Sequence, residues 1–478
     1  MFSRVYVDKV LEPCYLNWKK YLVEISFRIH RAHLVMLKES GVLKPEIART
    51  IKEGIDSIEK EFVFPETIPE NTEDLYFVFE KELSRRIGID KAGFLHTARS
   101  RNDMDAAAFR LFTRERLVEL LEAVLDLMKT LIERLSGPGG EEPIILYTHG
   151  QPANVSTLGH YLLSMLLETS ESAGLIRLSL DTVNRSPMGA CAITTTGFPV
   201  DRGLVSSLLG FNSPIPNSYL AISGSHWLSF PAGAIGQFLT DISRYTADIL
   251  HKASCEVGIM DFPDSLVQIS SIMPQKRNPV ILEHIRIQAS LALGILRGIE
   301  TLFRNTPFQD INEAGDAALD EFSRAFDLAL SCTALFKEAV KKAAVNKARV
   351  EEISKVYGIT ATELADSMVR DFGISFREAH GISAAFVKSG CRKDALRKAF
   401  EEAGFGPLPY TDAGIDRILS TENFIAVRKV QGGPSPEGMA EQKKEAGLCV
   451  GTLESFLAAF REKQDAANRE LALAWGGI

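Results

Sequence analysis

From Ala107 to Leu135 the side chains of Leu117, Leu121, Val124, Met128, Leu131 and Leu135 recur at three- and four-residue steps. That spacing lays one apolar stripe along a single helix of about 29 residues, roughly 43 Å long. "SGPGGEEP" (136–143) stops it. A stripe of this length needs partners of matching length. Similar segments follow at about 155–180, 227–258 and 280–303. Two of them, "GHYLLSMLLETSESAGLIRLSL" and "HIRIQASLALGILRGIETLF", are apolar on more than one side and studded with Ala, Gly and Ser. Small residues let helices approach closely, and a helix apolar around most of its circumference must be covered by others, including those of another subunit. The expected fold is all-α, built on a long central helix bundle, and the expected state is an oligomer.

No period-2 alternation of useful length, phosphate-binding glycine motif or internal repeat is present. At 478 residues the chain exceeds what one core normally serves. Boundaries are placed where the first long helix begins and before "YGITATELAD". They give a helical N-terminal domain (1–106), the bundle (107–355) and a helical C-terminal domain (356–478). The formal net charge of −8 has the wrong sign for a general phosphate-binding surface, so nucleic acid is not expected as a partner. No apolar run reaches the roughly 20 residues of a membrane span, and the first twenty residues lack the pattern of a secretory signal. Cys14, Cys191, Cys255, Cys332, Cys391 and Cys449 are scattered without CxxC spacing, which points to a reducing cytoplasm.

Three polar clusters interrupt the helical pattern. "HTARSRNDMD" (96–105) opens the long helix with Ser100, Arg101 and Asn102. Guanidinium forks and a helix N-terminus suit an anion, although an N-cap with a solvated first turn would read the same way. "YTHGQPANVSTLGH" (147–160) precedes a bundle helix and carries Thr148 and His149. His149 could relay protons near neutral pH, or be no more than a cap. "SSIMPQKRNP" (270–279) is an ordered loop, because Pro274 and Pro279 fix φ and remove donors. Ser270, Lys276 and Asn278 lie in it, and Glu283 follows at the start of an apolar helix, where a carboxylate needs a partner.

Each cluster alone is ambiguous. Together they resemble the fumarase/aspartase superfamily and, within it, the argininosuccinate lyases. "SSIMPQKRNP" is similar to the superfamily loop GSSxMPxKxNP, with Ile269 at the usual glycine; "HTARSRND" is similar to HTGRSRND, with Ala98 for glycine. "YTHGQPANVSTLGH" aligns without gaps to YTHLQRAQPVTxGH. "TTGFPVDR" (195–202), "TATELAD", "SFREAH" and "VRKVQGGPSPE" carry the likeness to about residue 440.

The resemblance implies a three-domain homotetramer in which each site draws its motifs from different subunits. It also implies anti elimination of fumarate from a small-molecule succinyl substrate. Ser270 would take the proton, and Lys276 and Asn278 would stabilise the aci-carboxylate. A serine is a poor base until a cation and loop N–H groups favour its alkoxide. His149, oriented by Glu283, would act as acid or relay. Ser100, Arg101, Asn102, Thr148 and Gln309 would hold the substrate. No metal or organic cofactor is implied.

The parts that select the leaving group depart from the family. Its NSxDAVSDRD reads "NSYLAISGSH" (217–226), its YNRDLQEDK reads "RNTPFQDIN" (304–312), and Tyr76 replaces the histidine of EDxH. Arg304 facing a guanidinium would repel it, and would better suit an amine carrying carboxylates, as in an N,N'-disuccinyl diamine. Argininosuccinate is therefore the default substrate, with another N-substituted aspartate as the alternative. An idle structural homologue, as among lens crystallins, is opposed by the joint presence of Ser270, Lys276, Asn278, His149 and Glu283. A helical scaffold without a small-molecule site would leave the three clusters unexplained.

Overall fold

The computed structural model describes residues 2–137 and 139–478, so Pro138 of the first helix stop lies outside the described residues. Three helices, α1 (Val23–Glu39), α2 (Pro45–Glu61) and α3 (Leu75–Ile87), lead to α4 (Arg101–Ser136). A hairpin, β1 (Pro143–Thr148) and β2 (Gln151–Thr157), follows. Next come α5 (Leu158–Val183), the short α6 (Ser218–Ser223) and α7 (His226–Lys252). The two-residue strands β3 (Gln268–Ile269) and β4 (Arg277–Asn278) pair ahead of α8 (Val280–Leu302) and α9 (Leu319–Lys342). The C-terminal part has α10 (Ala361–Phe372), α11 (Phe376–Lys388), α12 (Lys393–Glu402), α13 (Asp412–Ile418) and the long α14 (Pro436–Gly476).

Five helices make the bundle: α4 packs on α5, α5 on α7, α7 on α8, α8 on α9, and α9 back on α4. The expected stripe is buried along its length, with Leu117, Leu121, Val124, Met128, Leu131 and Leu135 all in the core. Each such side chain removed from water contributes roughly 1.5–3 kcal/mol. Two arginines on the same helix are buried as well. Arg110 donates to the carbonyls of Thr182 (3.2 Å) and Val183, and Arg114 to the Leu209 carbonyl (2.9 Å) and the Asn184 Oδ1 (3.1 Å). Arg110 thus caps carbonyls at the end of α5, so cation and helix terminus satisfy each other. No helix among the described residues is long and apolar enough to cross a membrane.

Packing divides the chain differently from the sequence pattern. The long helix starts at Arg101, so a boundary at 106 falls inside it, and one core runs from Tyr15 to Ile478 across the N-terminal helices and the bundle. Among the described residues, a second large cluster is formed within Leu364–Ile418. The last helix, α14, leaves that unit and returns to the bundle, lying on α1, α4 and α5. Val450, Leu453, Leu457 and Leu471 seat it, and the Trp475 Nε1 donates to Asp56 (2.9 Å). The hairpin was not expected from the sequence. Ile144 and Ile145 are both buried and the pairing shifts at Leu146/Tyr147, so a bulge erases the alternation.

Candidate active site

Ser100 is the N-cap of α4 and forms a capping box with Asp103. Its Oγ accepts from the Asn102 amide (3.4 Å) and donates to the Asn102 Oδ1 (3.1 Å). Arg101 is ion-paired to Asp74 (2.5 Å) and Glu73 (3.0 Å) and lies over the Phe77 ring. Within one chain Ser100 acts as the cap, and the Arg101 fork is taken by carboxylates of the protein itself. Asp103 does more than cap. Its carboxylate also accepts the amides of Gly189 (2.9 Å) and Cys191 (3.0 Å), tying the motif to a loop 86 residues away. Burial pushes the Asp103 carboxyl up, against the pull of these two amides and that of Ser100. Just upstream, Ala98 has φ 59, the left-handed region where the family's glycine would sit without strain. Its carbonyl accepts the Cys191 thiol (3.1 Å), and the preceding Thr97 carbonyl accepts His33 Nε2 (2.9 Å). Tyr76 bonds His96 Nδ1 (2.7 Å).

A cleft of about 440 Å³ opens beside this turn, lined by Arg101, Asn102, Ile222, Trp227, Asp310 and Asp316 among others. Asn102 Nδ2 donates to Asp310 (3.0 Å). Gln309, next to it, is exposed, and its backbone amide donates to the Pro307 carbonyl (3.0 Å). Arg304 sits on an exposed turn after α8, outside the cleft lining. Asp103 and Asp310 were not singled out from the sequence. The S-x-x-D spacing of the capping box was a signal for the first; nothing local marks the second.

The other two clusters lie together at the opposite end of the bundle. His149 and Gly150 have φ 52 and 76 between the paired Thr148 and Gln151, a two-residue turn of type I′. His149 and Thr148 are thus held at an exposed hairpin tip. The hairpin base is fixed to the end of α7: Tyr147 packs edge-on against His251 (4.8 Å, 87°) and under the Lys252 ammonium, itself paired to Asp248 (2.7 Å). Gly150, with its positive φ, is the one residue of the turn whose type hints at it.

In the Ser270 loop, the Ser270 Oγ accepts the amides of Ile272 (3.3 Å) and Met273 (3.0 Å). The Ser270 amide donates to the Lys276 carbonyl (3.2 Å), and Asn278 Nδ2 to Gln268 O (3.1 Å). Arg277 anchors the loop on Asp261 (3.1 Å) and Asp264 (2.8 Å). Two N–H groups on one hydroxyl oxygen favour developing negative charge there. Lys276 is exposed with no ion pair among the described residues, and Ile272 is 82% exposed. Glu283 stands in the first turn of α8, also exposed. Within one chain, His149 and Glu283 are not bonded to each other or to any group among the described residues.

Helix length separates the clusters. Trp227, at the cleft, lies in the first turn of α7 and His251, under the hairpin, in its last, with about 36 Å of helix between them. The Ser270 loop precedes α8 and Asp310 follows it, across 23 residues or about 35 Å. One chain therefore supplies Ser100, Arg101, Asn102 and Gln309 at one end and Thr148, His149, Ser270, Lys276, Asn278 and Glu283 at the other.

A family described as lyase matches residues 19–294, and one described as argininosuccinate lyase C-terminal matches residues 358–426. Argininosuccinate lyase 2 of Agrobacterium fabrum is 39% identical over 98% of this chain and 94% of its own length. Argininosuccinate lyase of Methanocaldococcus jannaschii is 30% identical over 95% and 91%. Among solved structures, EDDS lyase in complex with formate superposes with a TM-score of 0.85 at 27% identity, covering 95% of this chain and 91% of that one. A class II fumarase from Schistosoma mansoni shares the fold, with a TM-score of 0.68 at 16% identity over 84% and 90%.

Proposed function

The chain belongs to the argininosuccinate lyase family of the fumarase/aspartase superfamily and is a carbon–nitrogen lyase, and on that premise we propose that it splits argininosuccinate into arginine and fumarate. The observation that carries the reading is the Ser270 hydroxyl, whose oxygen accepts two amides of its own loop. In the proposed reaction Ser270 removes the proton beside a carboxylate. The electron pair passes into the carboxylate as an aci-anion, which Lys276 and Asn278 stabilise, and then expels the nitrogen from the neighbouring carbon. His149, oriented by Glu283, protonates the departing nitrogen or relays the proton. Ser100, Arg101, Asn102, Thr148 and Gln309 hold the substrate. The substrate's own carboxylate is the electron sink.

Such a site needs groups that lie at opposite ends of helices about 35 Å long, which supports a homotetramer whose antiparallel bundles bring motifs from different subunits together. The six free cysteines support a reducing, cytoplasmic location.

A second reading keeps the reaction and changes the amine, as in an N,N'-disuccinyl diamine. It is favoured by the altered segments 217–226 and 304–312. The test is fumarate release from argininosuccinate, followed by ultraviolet absorbance. Rapid release supports the first reading; none from a folded protein moves the substrate and leads to the reverse reaction with a panel of amines.

A further inference from the structure

The two segments that depart from the family touch each other. The Tyr219 hydroxyl donates to the Phe308 carbonyl, and their rings meet edge-to-face at 5.5 Å and 87°. Tyr219 stands one turn before Ile222, which lines the cleft, and Phe308 stands two residues before Asp310, which lines it too and accepts from Asn102 (3.0 Å). The helix bearing Tyr219 is itself held, since Asn217 caps it and Ser218 Oγ donates to the Ile193 carbonyl (2.8 Å). The departures are therefore one joined structure at the cleft wall rather than scattered drift.

The charge of that wall differs from what Arg304 suggested. Among the described residues, Glu73, Asp74, Asp105, Asp310 and Asp316 line the cleft against one cation, Arg101, already paired to Glu73 and Asp74, while Arg304 stands outside it. Ile222, Trp227 and Phe109 supply apolar wall. An amine carrying a carboxylate with no cation beside it would be repelled by this excess of carboxylates; a cation on an apolar stem would be drawn in. Desolvation raises the carboxyls of Asp105 and Asp310, in Asp105 with the neighbouring Asp74 charge added, against the pull of Arg101.

We propose that Asp310 is the specificity-determining residue for the departing amine, selecting one that carries positive charge on an apolar stem, and that Tyr219 and Phe308 are the positioning pair that holds it beside Asn102. This rests on the lyase reading. The substrate class is the N-succinyl derivative of a cationic alkylamine or alkylguanidine.

The experiment compares kcat/KM for addition of fumarate to three amines sharing a four-carbon stem: 1,4-diaminobutane, butylamine and 4-aminobutyrate, followed by loss of fumarate absorbance. Fumarate release from argininosuccinate is measured alongside. The expected order is diamine, then butylamine, then aminobutyrate, with at least about tenfold between first and last. Asp310→Asn should collapse that ratio to within about twofold, Asp310→Glu should restore it, and Arg304→Gln should leave it intact. Tyr219→Leu should lower it in the same direction, whereas Phe308→Tyr, which keeps ring and carbonyl, should preserve it. The Tyr219 variant reads the same ratio if Asp310→Asn fails to fold. An unchanged ratio in Asp310→Asn, a preference for aminobutyrate, or activity on argininosuccinate with none of the three amines overturns the inference alone. A folded wild-type protein that neither releases nor consumes fumarate overturns the lyase reading and the inference with it.

Discussion

At the scale of single residues, two positions carry most of the chemistry that can be checked. Ser270 has an oxygen already receiving two amides, so Ser270→Ala removes the proposed base while leaving the loop's ladder and the Arg277 anchor in place. Turnover should fall by several orders of magnitude, with the elution volume of the assembly unchanged; near-normal fumarate release would remove Ser270 from the mechanism. Ala98 is the opposite kind of residue, strained rather than reactive. Its φ of 59 costs roughly 1 kcal/mol that glycine avoids, set against the larger unfolded-state entropy of glycine. Ala98→Gly should therefore be neutral to stabilising by up to about 1 kcal/mol, read from the urea midpoint, and a clear loss of stability would mean the methyl group packs rather than strains.

At the scale of elements, α1 meets the first motif through two buried histidines. His30 stacks on Phe79 at 4.3 Å and its Nδ1 accepts from Arg99 (3.0 Å), while His33 donates to the Thr97 carbonyl. Burial, and after it the Arg99 charge, holds both imidazoles well below the usual histidine range. Folded, they stay neutral; unfolded, they take up protons below about pH 6.5. The unfolded state thus binds more protons in that window, so stability is full above it and falls as pH drops, by up to about 1.4 kcal/mol per pH unit for each ring. Urea midpoints at pH 7.5 and 5.5 should show the decline, and His33→Gln, which keeps a donor for Thr97, should remove about half of it. A pH-independent difference between wild type and variant would show that His33 charges freely in the folded state. Elements also show where local reading reaches its limit. Long stripes such as Leu117–Leu135 were legible because each contact partner is set by a helical period. The hairpin was not, because a bulge and two-sided burial removed its alternation.

At the scale of the whole molecule, the bundle leaves apolar side chains uncovered. Leu175 and Leu178 on α5, Phe230 on α7, and Ile287 and Leu291 on α8 are all exposed in one chain, the last two one turn apart on one face. A homotetramer would cover them and bring the two ends of neighbouring bundles together. Ile287→Arg with Leu291→Arg should shift the mass by light scattering from four chains toward one and abolish fumarate release together. Full activity in a monomeric variant would show that one chain holds a complete site. By itself the sequence determined the helical class, the long central helices and the three motifs, because periodicity and contiguous motifs are properties of neighbouring residues. It also located the two divergent segments, without saying that they touch. Only the tertiary structure decided that α14 belongs to the bundle, that Asp103 holds Gly189 and Cys191, that Tyr219 meets Phe308, and that Asp310 rather than Arg304 lines the cleft. Those contacts join residues 86 to several hundred positions apart. Which of the many possible long-range pairs form is settled by how the packed helices close upon one another, since only the closed packing repays the entropy of bringing such distant segments together.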